Sequence, residues 1–480
     1  MPERGPEGPK EFRAARPAID IDIAVAVAVA VAVGIGIGIG IGIGIAIDTR
    51  RIPEITRQAR RRVSEMRILF TSAPGYGLML PIVPLAWAAR AAGHEVLLAT
   101  TAYMTKVAAE SGLLVADVFP ERDVGEDLVA GAAGRPPEAK DTPEGYWELV
   151  DAMRPFELFT LAMTEGTVAA GRAFRPDLVV HCSDHVAGRL AATALDTPAL
   201  EVGNRVSWST RDEGFRPGAN HGGNHGARTG LVADDAPVVV ALRARLGLGD
   251  REPELLARVD PRAPSMGGLA GEEPDAEDGV PWLPMRYVPY NGGATLPSWA
   301  MLRPDRPRIC LTLGTIAPLL PGGGGLAPLI EALSGLDADI VLADSETDLS
   351  LLAPLPENVH PAGFVPLSGI LRDCSLVVHH GGSGTTAAAL HHGVPQLIVP
   401  EGADNALCAR RVVDRGVGLS VDPGEADVPA LRALVERLLG EAAFARNAAA
   451  VRDEMAAQPS PAEVVERVTS DLARRPVRRP

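Results

Sequence analysis

The chain has 480 residues, enough for two or more domains with sizeable cores at roughly 100–200 residues each. Its 46 basic against 61 acidic residues leave a net charge of −15, which excludes attraction of the whole molecule to nucleic acid or to an anionic membrane surface. Only Lys10, Lys106 and Lys140 are lysines, so no GxxxxGKS/T phosphate loop can be written, and four dispersed cysteines without a CxxC pair suggest neither a zinc knuckle nor a disulfide framework and point to a reduced, cytoplasmic compartment.

Residues 1–65 form a low-complexity leader. Within it, residues 23–47 run 25 positions without a charge, which meets the length of a membrane span at about 20 residues. Strict two-residue alternation, with a small residue at every even position from Ala24 to Ala46, has the form of a translated nucleotide repeat, and the glycines from Gly34 to Gly44 disfavour a helix. The leader therefore reads as a misassigned start or a disordered segment, with an anchor or export signal as the alternative. Its even glycine spacing also excludes a GxGxxG fingerprint.

From Met66, MRILFTSAPGYG reads as a buried strand opening into a glycine and proline turn. A helix over Pro84 to Ala92, the strand GHEVLLAT, a helix around Tyr103 to Ser111 and the strand GLLVADVF follow. The rhythm returns at PDLVVHC, a helix over Val186 to Leu195 and PALEVG, which makes the first half a parallel doubly wound sheet. Between Arg211 and Gly279 the pattern breaks into Gly-, His-, Pro- and acid-rich loops around one helix, Ala236 to Leu246, as expected of a lid or substrate-facing wall. The stretch Gly218 to Thr229 within it suits either an acceptor wall or a solvent loop. A second alternating series begins at PRICLTLG and runs through ADIVLAD, NVHPAGF, SLVVHH, PQLIVP and GLSVD. The expected organisation is an α/β chain of two facing Rossmann-like parallel-sheet domains, residues 66–290 and 307–460, with a linker over 291–306, a cleft between them, and a C-terminal amphipathic helix and tail over 461–480.

The most informative stretch is VVHHGGSGTTAAALHHGVPQLIVP, residues 377–400. A strand ends in His379 and His380, and Gly381, Gly382 and Gly384 allow close backbone approach. Ser383, Thr385 and Thr386 add hydroxyls at the first turn of a helix. A helix N-terminus beyond the carboxyl end of a parallel strand suits a phosphate group. In that reading His380 donates to the phosphate and His379 is held in the strand end; in the other, both histidines simply satisfy a tight turn. A metal set of His379, His380, His391 and His392 is disfavoured, because the intervening helix separates the pairs by roughly 10 Å or more. His94 reads as a packed structural residue.

The run GFVPLSGILRDCSLVVHHGGSGTTAAALHHGVPQLIVPEGADNALCARRV resembles the donor-binding signature of nucleotide-sugar glycosyltransferases of the GT-B fold, in the actinobacterial natural-product branch acting on macrolide, anthracycline and enediyne-type aglycones. VPLAWAARAAGHEVLLAT, RYVPYNGGATLPSW and RPRICLTLGT fit the same branch. The resemblance implies transfer of a deoxysugar, carried on dTDP, to a polyketide-like or aromatic aglycone by single displacement with inversion. It assigns the N-terminal domain to the acceptor and the C-terminal domain to the donor. By position it implies that His380, Gly382, Ser383, Gly384 and Thr385 grip the diphosphate with Thr315 nearby. Phe364 and Val365 would flank the base, and Asp404 and Asn405 would reach the sugar hydroxyls. Asn405 departs from the family's glutamine, and Asp404 has an alternative reading as a helix cap. No metal is expected, since a helix N-terminus and one histidine can stabilise the departing diphosphate. Some members of the branch work with an auxiliary activator protein; that requirement and a homodimer are left open.

One departure stands out. The family's acceptor base is a histidine in the first glycine-rich loop, and here PGYGLMLPIVPLA has Leu78 at that position. In VVHCSDHVAG, His181, Asp184 and His185 lie at the end of a later strand of the same sheet, facing the same cleft, and Asp184 is the leading substitute base, with His185 beside it; helix capping is the other reading of Asp184. An acceptor acidic enough to need little help, or a catalytically weak nucleotide-sugar or aglycone-binding partner of an active transferase, are the remaining explanations.

Overall fold

Strands buried on both faces of a parallel sheet carry near-continuous apolar runs. RILFT, LVVHC, RICLT and LVVH do so, and they become the inner strands of two sheets. The computed structural model describes residues 65–132, 134, 142–212, 220–221, 227–228, 232–314, 325–343, 354–402 and 404–475. The leader expected over 1–65 therefore lies outside the described residues but for Glu65. So do Thr315 and most of Gly218 to Thr229.

The N-terminal lobe contains β1 (Arg67–Thr71), β2 (Glu95–Thr100), β3 (Leu114–Asp117), β4 (Leu178–Cys182) and β5 (Ala199–Val202), followed by β6 (Asn220–His221) and β7 (Ala227–Arg228), which pair with each other. β8 (Leu255–Asp260), β9 (Glu273–Pro274) and β10 (Pro281–Pro284) complete it. Its sheet runs β3-β2-β1-β4-β5-β8-β10-β9 and is parallel except for β9. The C-terminal lobe contains β11 (Arg308–Thr312), β12 (Asp339–Leu342), β13 (Val359–Pro361), β14 (Leu376–His379), β15 (Gln396–Ile398) and β16 (Gly418–Ser420). They form a wholly parallel sheet in the order β13-β12-β11-β14-β15-β16. Both sheets reverse direction of winding beside their first strand, between β1 and β4 and between β11 and β14.

The stretch from Arg211 to Gly279 differs from its expectation as a wall of loops. Three of its strands, counting β10 just beyond, extend the N-terminal sheet, and its helix spans Pro237–Arg245. The run LLARVD did not read as a strand because it carries charges, which the fold pairs. Arg258 donates to Asp278 at 2.6 and 3.0 Å, and Asp260 accepts from the fully buried Arg262.

The last helix, Pro461–Arg474, starts with a reciprocal cap. Ser460 Oγ accepts from Glu463 N while Ser460 N donates to Glu463 Oε2, and proline takes the first helical position. Its Val464, Val465 and Val468 enter the N-terminal core beside Val83 and Ala86. The end of the chain thus returns to the first lobe. Val206, Ala263, Met266 and Tyr287 of the N-terminal lobe share a further apolar cluster with Ala387, Leu390, Cys408 and Val412 of the C-terminal lobe, which packs the lobes against each other. Among the described residues no helix is long and apolar enough to cross a membrane, and the four cysteines are free.

Candidate functional site

β11 and β14 are paired with Thr312 opposite His379, so the residues that follow each strand emerge together at the point where the strand order reverses. After β11 comes Gly314, in the left-handed region at φ +76°; after β14 comes His380. The His380 ring lies between two glycines. A Cβ at Gly314 would sit 2.5 Å from ring Cε1, and one at Gly382 would sit 2.5 Å from Nε2. Only glycine at both places leaves room for the imidazole, which accounts for the spacing of glycines around it. His380 Nδ1 is buried and has no partner among the described residues. Burial lowers the His380 pKa to about 4, against the opposing Asp404 charge and the Thr312 carbonyl, so the ring is neutral at pH 7.

His379 is a strand-end residue, as expected. Its Nδ1 accepts from Gly381 N at 3.1 Å, which leaves Nε2 to donate to Gln396 Oε1 at 2.9 Å. Burial lowers its pKa to about 3. His94 is likewise structural, its Nδ1 accepting from Met66 N. His391 and His392 lie at the far end of the helix, and among the described residues no group of three or more His, Cys, Asp or Glu is arranged to hold a metal.

The helix Ser383–His392 begins directly after Gly382, and the amides of its first turn have no intrahelical partners. Thr386 Oγ1 turns back to the Gly382 carbonyl at 3.0 Å, while Thr385 is 9 % exposed. Ser383 Oγ accepts the main-chain N–H of Val206, from the opposite lobe, at 2.7 Å. A void of about 10 Å³ between Asn204, Val206, Ser383 and Gly384, among other walls, has room for about one water.

Asp404 occupies the N-cap position of the helix Asn405–Asp414, yet its side chain makes no cap bond there. Its carboxylate is directed to the N-terminal lobe instead: Oδ1 accepts from Arg205 Nη1 at 2.8 Å and Oδ2 from Ser207 Oγ. Asn405 Nδ2 is spent on the carbonyl of Glu401 in its own loop. Val365 is packed into the core of the C-terminal lobe, so any contact it makes with a base falls to its main chain. Phe364 is 41 % exposed, with its ring 6.1 Å from that of Tyr76 in the first glycine-rich loop.

The two catalytic candidates of the N-terminal lobe separate. His185 is the N-cap of the helix Val186–Ala194 and faces the lobe's interior, Nε2 lying 3.0 Å from Thr71 Oγ1; burial lowers its pKa to about 3. His181 is buried against the carbonyl of Cys182, its pKa lowered by burial to about 4. Asp184, which does not cap the helix, is held by the residues that follow β5 in its own lobe. Its Oδ1 accepts from Asn204 Nδ2 at 3.0 Å, and its Oδ2 accepts from Arg205 Nε at 3.2 Å and Nη2 at 3.0 Å. Asn204 Nδ2 also donates to the carbonyl of Leu78 at 3.2 Å, so Asp184 lies one amide away from the position where the base histidine was expected.

Burial works against the charge on Arg205, but the carboxylates of Asp404 and Asp184 outweigh it and raise its pKa. Asn204, Arg205 and Ser207 were not foreseen from the sequence. A signal was present, because the polar NRVS follows the buried strand PALEV at the carboxyl edge of its sheet, the same placement that singled out His380.

Comparison with known proteins identifies a family and a fold. The model of the erythromycin biosynthesis protein CIII-like family matches twice, its N-terminal domain over residues 87–314 and its C-terminal domain over residues 327–470. The chain is 36% identical to the elloramycin glycosyltransferase of Streptomyces olivaceus over 417 residues, 84% of this chain and 97% of that one. The glycosyltransferase SnogD of Streptomyces nogalater superposes with a TM-score of 0.66 at 32% identity, over 85% of this chain and 100% of SnogD. SsfS6 of Streptomyces sp. SF2575, solved with thymidine diphosphate, gives a TM-score of 0.62 at 32% identity, again over 85% and 100%.

Proposed function

The chain belongs to the erythromycin CIII-like family of GT-B glycosyltransferases, inverting and metal-independent enzymes, and on that premise we propose that it moves a deoxysugar from a thymidine diphosphate donor to a polyketide-like or aromatic aglycone. The similarity to transferases runs through nearly the whole body of the chain, which favours turnover over the alternative of a catalytically weak binding partner. Cytoplasmic action is part of the proposal and fits the four free cysteines.

The observation that carries the reading is the His380 ring held between Gly314 and Gly382 at the start of the helix Ser383–His392. The amides of the first turn, with the hydroxyls of Ser383 and Thr385, take the diphosphate, and Gly382 and Gly384 allow its close approach. Neutral His380 donates a hydrogen bond to it, and the family resemblance assigns Thr315, next in sequence to Gly314, to the same group. The base lies between the Phe364 ring and the main chain of Val365. Asp404 and Asn405 meet the sugar hydroxyls, Asn405 through the amide oxygen that its bond to Glu401 leaves over.

The acceptor nucleophile attacks the anomeric carbon from the face opposite the diphosphate. The bond from that carbon to the β-phosphate oxygen breaks, its electron pair stays on the diphosphate, and the acceptor's proton passes to Asp184. His185, bonded to Thr71, has no part in this step. Titration calorimetry with thymidine diphosphate, and chromatography of dTDP-deoxysugars incubated with aromatic and macrolide aglycones, test the proposal on the full chain. Binding and glycoside formation, with turnover lost in His380→Ala, are expected. No heat with thymidine diphosphate and no turnover of any donor would overturn it.

A further inference from the structure

We propose that Arg205, supplied by the N-terminal lobe, is a catalytic residue of the transfer whose guanidinium offsets the negative charge that gathers on the departing diphosphate. The inference rests on the donor and acceptor assignments above and adds a group that none of them contains.

Three features place Arg205 there. Its neighbour Val206 is bonded to Ser383, the first residue of the helix that meets the diphosphate, so the Arg205 main chain is fixed against that helix start. Its side chain reaches the C-terminal lobe at Asp404, whose charge is also felt by His380. Its hydrogen bonding is incomplete: a guanidinium has five N–H groups, and the bonds to Asp184 and Asp404 use three of them. Two N–H groups thus remain to meet phosphate oxygens while both carboxylates stay in place.

Charge balance gives Arg205 its importance. His380 is neutral and contributes a dipole; Asp184 and Asp404 are carboxylates, and Arg205 is the cation between them. Two carboxylates and one guanidinium give the cluster a formal charge of −1. As the anomeric carbon–oxygen bond breaks, an electron pair moves onto the diphosphate, and in the same step the acceptor's proton arrives on Asp184. Proton uptake removes one of the two negative charges that hold Arg205. Its field is then less compensated just as the leaving group becomes more anionic, so one guanidinium couples the base to the leaving group.

Arg205→Gln removes the cation and keeps a hydrogen-bonding side chain. The expected result is a fall of about 100-fold in kcat, by the scale of losing one charge-stabilising donor, with the aglycone KM within about threefold of native. Arg205→Lys should retain more activity than Arg205→Gln, and methylguanidinium but not methylurea should restore part of the rate to Arg205→Ala. Because removing the cation alone leaves two buried carboxylates facing each other and can unfold the protein, Arg205→Gln/Asp404→Asn, which keeps the cluster's formal charge at the native −1, is compared with Asp404→Asn; the double variant should be about 100-fold slower than the single. The inference is overturned if the double variant lies within threefold of Asp404→Asn, or if methylurea rescues as well as methylguanidinium. Native protein that turns over no sugar nucleotide would instead remove the functional reading itself, and this inference with it.

Discussion

Val206 of the N-terminal lobe donates its main-chain N–H to the hydroxyl of Ser383 in the C-terminal lobe, at 2.7 Å. A hydroxyl that accepts one bond still has its own hydrogen to give, so the contact orients Ser383 as a donor at the start of the helix. Ser383→Ala should weaken thymidine diphosphate binding by roughly 10- to 100-fold, the scale of a hydrogen bond to a charged group, as read by calorimetry. The melting temperature should change by no more than a few degrees, because the interlobe apolar cluster around Val206 and Leu390 is untouched.

Gly384 separates a binding role from a packing role. A Cβ built there meets nothing within 4 Å, so Gly384→Ala fits the unliganded protein without strain. Alanine is the better helix former by about 0.5–1 kcal/mol, and the variant should be as stable as the native chain or slightly more so. The added methyl would nonetheless stand in the open space beside the helix start that the diphosphate needs. Calorimetry should therefore show weaker thymidine diphosphate binding in a protein whose melting temperature is unchanged or raised. Unchanged affinity would place the phosphates elsewhere.

Much of this site was legible because its parts are close in sequence. The strand LVVH, the glycines and the hydroxyls that follow it occupy eleven consecutive positions, and periodicity with turn chemistry is enough to locate them at a strand-to-helix junction. The Arg205 cluster was not legible for the opposite reason. Its partners Asp184 and Asp404 are 21 and 199 positions away, and the polar NRVS after β5, the one local signal, marks a strand end without revealing either partner. The same applies in part to β8, where Arg258 interrupts an apolar run and is satisfied by Asp278, 20 positions on, although Asp260 pairs with Arg262 only two positions away. Val365 shows a further limit, since a motif can assign a position to a base without revealing that its side chain belongs to the core.

Four histidines whose pKa the fold depresses make it sensitive to acid. Burial lowers His379 and His185 to about 3, and His380 and His181 to about 4, from an ordinary value of 6.5. A histidine depressed in the folded state binds its proton first in the unfolded chain, so its contribution is complete above pH 6.5 and is lost as the pH falls from there towards 4 and 3. Within that window each histidine costs up to about 1.4 kcal/mol of stability per pH unit. Urea unfolding at pH 7, 6 and 5 should show this decline. His379→Gln, which removes one such group, should give a shallower slope than the native chain, whatever its stability at pH 7.

Asp184 and Leu78 are joined through one amide, that of Asn204, which donates to the carboxylate of the first and the carbonyl of the second. If Asp184 takes the acceptor's proton, Asp184→Asn should lower kcat by about 10²- to 10⁴-fold, the usual contribution of a general base, while thymidine diphosphate affinity stays within a few fold. A histidine introduced at position 78 enters the same end of the cleft, at the place where the family resemblance puts its base. Leu78→His/Asp184→Asn should then regain part of the lost turnover, with a pH–rate profile whose acid limb follows an imidazole. Should Asp184→Asn keep native kcat with every aglycone that is turned over, the acceptor would have to lose its proton unaided or to another group, and the bonds from Asn204 and Arg205 would mark Asp184 as a purely structural anchor.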